Sequence, residues 1–156
     1  MIHLRPIKDA DLPFLYSVYA STRDEEVKRT GWTEGQQAAF LRMQFEAQHE
    51  HYQKHYADAR FDVVMQGDEP IGRLYVDRHD DDIRIVDIAL LPQSRGQGIG
   101  SDLLNQIFQE AEQSGRTVSI HVERFNPAMG LYERLGFARV DDTGVYYLME
   151  WKPTTG

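Results

Sequence analysis

The chain contains no cysteine. That excludes disulfides, thiolate-bound metal and a cysteine nucleophile, and it sits easily with a cytoplasmic location. No apolar run approaches the ~18 residues a membrane-spanning helix needs. No signal-peptide pattern opens the sequence either, so no membrane partner is expected. Basic residues are the minority: 17 Lys and Arg against 25 Asp and Glu leave a formal net charge of −8. Such a balance argues against nucleic acid as a partner. It suits a cationic or amine substrate, and equally ordinary solubilising charge. No Gly-Lys pair occurs, so there is no Walker loop. Repeats, low-complexity segments and linkers are also missing. What remains is globular, with 41% hydrophobic and 27% charged residues over 156 positions. That is enough for one domain, 1–156, with a real core.

Three signals meet in Ile88-Ala-Leu-Leu-Pro-Gln-Ser-Arg-Gly-Gln-Gly-Ile-Gly-Ser101. An apolar run ending at Leu91 reads as a buried strand, stopped by Pro92, which lacks the ladder donor. A turn with Arg95, Gly96, Gly98 and Gly100 follows. Ile99, Leu103, Leu104, Ile107, Phe108 and Ala111 then recur at helical spacing until Gly115. Strand, glycine-rich turn and helix in that order make an anion site, because a helix N-terminus leaves backbone N–H groups unpaired and its macrodipole favours negative charge. A phosphate-bearing cofactor is expected on the amides of Arg95, Gly96, Gln97, Gly98, Ile99, Gly100 and Ser101. A dinucleotide fingerprint is the rival reading, with Gly96-x-Gly98-x-x-Ser101 and Glu123 as the ribose acid. Against it stand Ser101 in place of the third glycine, four residues between strand and first glycine, and too little chain afterwards for a second half-fold.

The rest of the chain reads coarsely. Ile2 to Ile7 is an edge strand, and Asp9 or Asp11 caps a helix running to about Arg23. Arg23 to Arg29 is a charged passage. Thr33 and Gln36 have capping-box spacing and open a long helix to about Tyr56. Its apolar residues Leu41, Phe45, Tyr52 and Tyr56 share one face, widened by Phe40, Met43 and Ala47. Strands at 61–66, 71–76 and 83–91 form a meander, with turns at Gly67 to Pro70 and at 78–82. After the glycine-loop helix come a strand at 117–122 and a helix capped by Asn126 with Pro127 in its first position. A hairpin of 137–140 and 145–151 around Asp141 to Gly144 closes the chain.

Arg95-x-x-Gly98-x-Gly100 resembles the pyrophosphate loop of the GNAT superfamily of acyl-coenzyme A-dependent N-acetyltransferases. Asn126-Pro-Ala-Met-Gly-Leu-Tyr-Glu-Arg-Leu-Gly-Phe137 resembles the family's second signature, an Asn, a Tyr six residues on, then Gly-Phe. The element order β-α-α-β-β-β-α-β-α-β-β is similar to the GNAT fold from end to end, an α/β class with a central mixed sheet flanked by helices. The resemblance implies acetyl-CoA as co-substrate, no metal, and a small-molecule or peptide amine as acceptor. It also implies that pantetheine adds like a strand beside Ala89, Leu90 and Leu91, entering a gap between that strand and 117–122. A backbone N–H near Ala89 or Leu90 then faces the thioester oxygen, with Asn126 touching the cofactor or capping its helix.

Acetyl transfer to an amine also needs a proton donor for the thiolate and a base for the ammonium. Tyr132 is the candidate acid, since a phenol with a pKa near ~10 stays protonated at neutral pH. Its helical stripe with Met129 and Leu135 alone suggests a core tyrosine; the flanking signature favours catalysis. Asp87 is the candidate base, the one ionisable group between Ile85 and Leu91, where a carboxylate is expensive unless paired or functional. A salt bridge with Arg73 or Arg84 is its structural alternative. Glu123 and His121 rival it. By the same resemblance Trp32 and Glu26 face the acceptor, although Trp32 also suits a core anchor. His51 and His55 have metal-compatible spacing but no third ligand, and read as a solvated helix face. The hairpin edge suits a homodimer. A non-catalytic acyl-CoA sensor of the same fold, or a dinucleotide-dependent oxidoreductase, are the alternative functions.

Overall fold

The computed structural model describes residues 1–154. Its elements are β1 (Ile2–Pro6), α1 (Leu12–Lys28), α2 (Glu34–His55), β2 (Arg60–Gln66), β3 (Glu69–Arg78), β4 (Asp82–Leu90), α3 (Ile99–Ser114), β5 (Thr117–Glu123), α4 (Met129–Arg134), β6 (Ala138–Asp142) and β7 (Tyr146–Trp151). Short 3-10 turns at Asp9–Asp11 and Pro92–Ser94 precede α1 and α3. The order matches the sequence expectation, and the seven strands make one mixed sheet, β1-β2-β3-β4-β5-β7-β6, flanked by helices. Two compact units divide the described residues: Met1–Leu74 with Ile88–Arg95, and Tyr75–Asp87 with the residues from Gly96 onward.

In the first unit β1 pairs antiparallel with β2, Ile2 opposite Gln66 and Pro6 opposite Asp62. Its core gathers Leu15, Tyr19, Val27, Leu41, Phe45, Val63 and Met65. Phe45 anchors α2 on α1, its ring edge-on to Tyr16 at 5.8 Å and tilted to Tyr19 at 6.0 Å. The capping box of α2 forms in both directions: the Gln36 amide donates to Thr33 Oγ1 and the Thr33 amide to Gln36 Oε1. Phe40, Met43 and Ala47 are exposed, so the buried stripe of α2 is narrower than expected. Helix α1 continues to Lys28 instead of stopping near Arg23. Ion pairs one turn apart, Arg23 with Glu26 and Asp24 with Lys28, line this extra turn.

Neither Asp9 nor Asp11 caps α1 with its side chain. Asp11 instead accepts two hydrogen bonds from the Arg5 guanidinium, both 2.8 Å, and one from the Lys8 amide at 2.7 Å. The Arg5 hydrogen bond holds the Asp11 carboxyl below the usual carboxylate range. A depressed acid contributes stability above its unfolded pKa of ~3.9 and loses it as pH falls through the folded value. Asp11→Asn is therefore expected to cost about 1.5–3 kcal/mol at pH 7, the worth of hydrogen bonds to a charged group. Thermal melts at falling pH check this: the gap between variant and wild type closes below pH ~4.

The second unit is built on α3. Ile99, Leu103, Leu104, Ile107, Phe108 and Ala111 are buried, the stripe read from the sequence, and Gly115 ends the helix in the left-handed region at φ 68°. Phe108 stacks on Trp151 at 4.7 Å and meets Phe137 at 5.5 Å. A carboxylate clasp joins the end of β3 to α3: Arg78 grips Glu110 through two hydrogen bonds, and Arg116 adds a third. β5 pairs antiparallel with β7, and β6 lies outside β7 with a bulge between Arg139 and Asp141.

Candidate active site

The glycine turn enters α3 through Gly96 and Gly98, at φ 73° and 82°, where an L side chain is strained. Gly98 is the N-cap of α3, and the first return hydrogen bond is the Asp102 amide to the Gly98 carbonyl. The amides of Ile99, Gly100 and Ser101 thus fall in the first turn, where no intrahelical acceptor exists. Gly96, Gln97 and Gly98 are exposed, and a Cβ at Gly96, Gly98 or Gly100 would meet nothing within 4 Å. An open, glycine-rich entry to the N-terminus of a 16-residue helix fits a diphosphate.

Arg95 differs from expectation. Its amide donates to the Pro92 carbonyl at 3.2 Å, inside the 3-10 turn, and is consumed there. Its guanidinium reaches back within the first unit, Nε to the Leu90 carbonyl at 3.0 Å and Nη2 to Ser21 Oγ at 3.3 Å. Arg95 thus braces the end of β4, and the cradle begins after it. Leu91 donates to the Ile71 carbonyl at 2.8 Å, tying this end to β3.

Parallel pairing of β4 with β5 runs from Asp82 opposite Thr117 to Ile85 opposite Ile120 and goes no further, although both strands continue. Asp87, half-buried, lies in the part of β4 beyond this pairing. Tyr132, on α4, is 5% exposed, its ring edge-on to Phe137 at 5.8 Å. Burial pushes the phenol up to about 12, and the Asp87 carboxylate adds to the push. The sequence-derived acid and base are thus within electrostatic reach of one another.

The rival bases fare differently. Asp82 accepts from Ser119 Oγ at 2.5 Å, and Arg84 donates Nε to the same hydroxyl at 2.7 Å. Arg84 Nη1 lies 3.2 Å from His121 Nδ1. Guanidinium only donates, so Nδ1 accepts and the neutral ring carries its proton on Nε2, leaving no lone pair for base work. Burial, then Arg84, lowers the His121 pKa and keeps that ring neutral. Glu123 is half-buried at the end of β5, opposite Tyr146.

Asn126 does not cap α4, which begins at Met129; its Oδ1 accepts from the Ala128 amide at 2.8 Å and closes the turn before the helix. Pro127 belongs to that turn. Glu26 is exposed and paired with Arg23 at 3.2 Å. Trp32 is 40% exposed and packs on Phe40 at 5.1 Å, a surface aromatic rather than a core anchor. His51 and His55 are exposed on α2 with stacked rings 5.0 Å apart, bordering a shallow hollow with Glu50 and Lys54. The sequence reading passed over Gly72, which the backbone of β4 approaches closely. A lone glycine inside a strand is itself a signal of close backbone approach.

Among the described residues, no helix is long and apolar enough to cross a membrane. A [ribosomal protein bS18]-alanine N-acetyltransferase of Haemophilus influenzae is 40% identical over 68 residues, 43% of this chain and 47% of that protein. This match therefore spans about half the length of the curated relative. The paiA N-acetyltransferase of Thermoplasma acidophilum, solved in complex with coenzyme A, superposes with a TM-score of 0.71 at 19% identity, covering 97% of this chain and 99% of that one. The ribosomal-protein-S18-alanine N-acetyltransferase of Escherichia coli gives 0.64 at 20% identity, over 100% and 97% of the two chains. These two likenesses establish the fold. The sequence profile of the acetyltransferase (GNAT) family matches residues 18–137, taking in the glycine turn, Asp87 and Tyr132. The chain belongs to this family, whose members are acetyl-CoA-dependent N-acetyltransferases.

Proposed function

We propose that this chain, as a single acetyltransferase domain, moves the acetyl group of acetyl-CoA to a primary amine by direct attack. The observation that carries the reading is the entry to α3, where two left-handed glycines feed a helix whose first-turn amides lie open. In this reading the amides from Gly96 to Ser101 hold the diphosphate, helped by the positive end of the helix dipole. Ala89 to Leu91 pair with pantetheine as with an added strand, and an N–H of Ala89 or Leu90 bonds the thioester oxygen as charge grows on it. With no cysteine to carry the acetyl group, the amine attacks directly. The reading also assigns acceptor recognition to Trp32, Glu26 and His121, the last as a neutral donor.

An aliphatic amine arrives protonated, with a pKa near ~10.4, and gives its proton to Asp87, directly or through water. Tyr132 donates to the departing sulfur. The proximity of the two groups links these steps. Once Asp87 accepts a proton its charge vanishes, one cause of the raised Tyr132 pKa is relieved, and the phenol becomes the stronger acid as the thiolate leaves. The same reading places the protein in the cytoplasm and gives the β6 edge, exposed along its length, to a homodimer contact.

Coenzyme A release across small amines, polyamines, amino acids and an alanine-initiated peptide tests the reaction; release with none of them overturns it. The Asp87→Asn variant tests the pairing. Its kcat is expected to fall about 10²-fold, within the usual range for a general base, and kcat/KM loses its acidic limb. Removing the carboxylate also lowers the Tyr132 pKa from about 12, so any alkaline limb moves to lower pH. A pH–rate profile with the wild-type shape removes Asp87 from the mechanism.

A further inference from the structure

Gly72 lies buried in the middle of β3, and its φ is not in the left-handed region. Its own backbone conformation therefore does not require glycine. Its neighbours do. A Cβ built at Gly72 would stand 2.3 Å from the Ala89 carbonyl oxygen, 2.8 Å from Leu90 Cδ2 and 3.0 Å from Leu90 Cα. Two of these three are backbone atoms, which cannot swing aside as a side-chain end can. The carbonyl of Ala89 occupies the space that any other residue at 72 would fill.

The direction of that carbonyl has a consequence. A peptide unit is planar and trans, so its C=O and N–H point opposite ways. With the Ala89 oxygen turned onto Gly72, the N–H of Leu90 in the same unit points away from β3. Two further bonds tether the next peptide unit, Leu90–Leu91: the Leu91 amide to the Ile71 carbonyl at 2.8 Å, and Arg95 Nε to the Leu90 carbonyl at 3.0 Å. The Ala89–Leu90 peptide thus abuts Gly72 through its carbonyl and is followed by a tethered unit, with its donor presented away from β3.

We propose that Gly72 is a positioning residue for acetyl transfer: it admits the Ala89 carbonyl and thereby aims the Leu90 N–H at the thioester oxygen. This rests on the proposed acetyl-CoA chemistry and narrows its backbone donor from two residues to one. Gly35, on α2, makes a control, since a Cβ there meets only Thr33 Oγ1, at 3.9 Å.

Gly72→Ala is expected to lower kcat about 10²-fold, the loss seen when one oxyanion donor is removed. Coenzyme A should still bind within about threefold of wild type, because the donors around Gly98 are untouched. The isotope-edited thioester C=O stretch of bound acetyl-CoA gives a readout apart from turnover. It should lie below the free value in wild type and return toward it in Gly72→Ala. Gly35→Ala should keep both kcat and the stretch. A purely structural Gly72 would lower the melting temperature and leave kcat of the folded protein and the stretch unchanged, which overturns the proposal. Should Gly72→Ala not fold, replacing Leu90 by its α-hydroxy acid deletes the N–H without adding bulk. The same loss of kcat and stretch supports the assignment, and wild-type values for both overturn it. A wild-type protein that binds coenzyme A but acetylates no amine overturns the acetyl-transfer reading and this inference together. Normal turnover in Gly72→Ala sinks this inference alone.

Discussion

Tyr132→Phe is expected to lower kcat by two to three orders of magnitude, within the ~10²–10⁴-fold range of general acid catalysis, while coenzyme A affinity stays within about threefold. The substitution removes one oxygen and keeps the ring. That ring is buried and packs edge-on against Phe137 at 5.8 Å, a contact phenylalanine preserves. The melting temperature should therefore hold, separating chemistry from folding. The pH dependence sharpens the test. Burial, with Asp87 behind it, pushes the phenol up to about 12, so it remains protonated throughout the usable range. Wild-type kcat should show no fall with rising pH from loss of the Tyr132 proton below pH ~10. Stopped-flow measurement of coenzyme A release, with calorimetry for binding, decides the case. An unchanged kcat in Tyr132→Phe excludes the hydroxyl from the reaction.

A second large effect is expected at Gly98. Gly98 and Gly115 cap the two ends of α3 in left-handed conformations, at φ 82° and 68°, and a Cβ at either meets nothing within 4 Å. Alanine at either position incurs a similar left-handed penalty of about 1–2 kcal/mol. The two variants should lose comparable stability, about 2–8 °C in melting temperature for a domain of this size. Their binding should diverge. Strain at Gly98 is relieved by turning the peptides that open the cradle, so coenzyme A affinity falls about 5–30-fold, matching that ~1–2 kcal/mol. At Gly115, at the other end of the 16-residue helix, affinity is unchanged. Equal losses of affinity in both variants would remove the diphosphate from the N-terminus of α3.

The elements that depend on local pattern were legible in the sequence. The stripe of α3, the capping box at Thr33 and Gln36, and the left-handed stop at Gly115 all follow from spacing and residue type. Boundaries set by competing partners were not. Asp11 has the chemistry of a cap, yet a cation six residues upstream offers it a bidentate pair, and Arg5 takes it. Asn126 was likewise diverted, to the Ala128 amide, so α4 starts two residues after Pro127. The charged stretch from Arg23 looked like a connection; pairs between its own members sit in a last helical turn. Within the candidate site, the identities of Asp87 and Tyr132 could be guessed from polarity and signature. Their proximity could not, because it joins residues 45 positions apart in the chain. The same holds for the guanidinium of Arg95, spent on Leu90 and Ser21. It also holds for the end of parallel pairing at Ile85 and Ile120, which is set by tertiary geometry.

The strand order places β7 between β5 and β6. On a ribosome, β5 and β6 therefore emerge before the partner that joins them. Until residues 146–151 clear the exit tunnel, Val118, Ile120 and Val122 line a strand edge with no neighbour on that side, a template for mispairing. Late insertion of one strand makes this half of the sheet all-or-none.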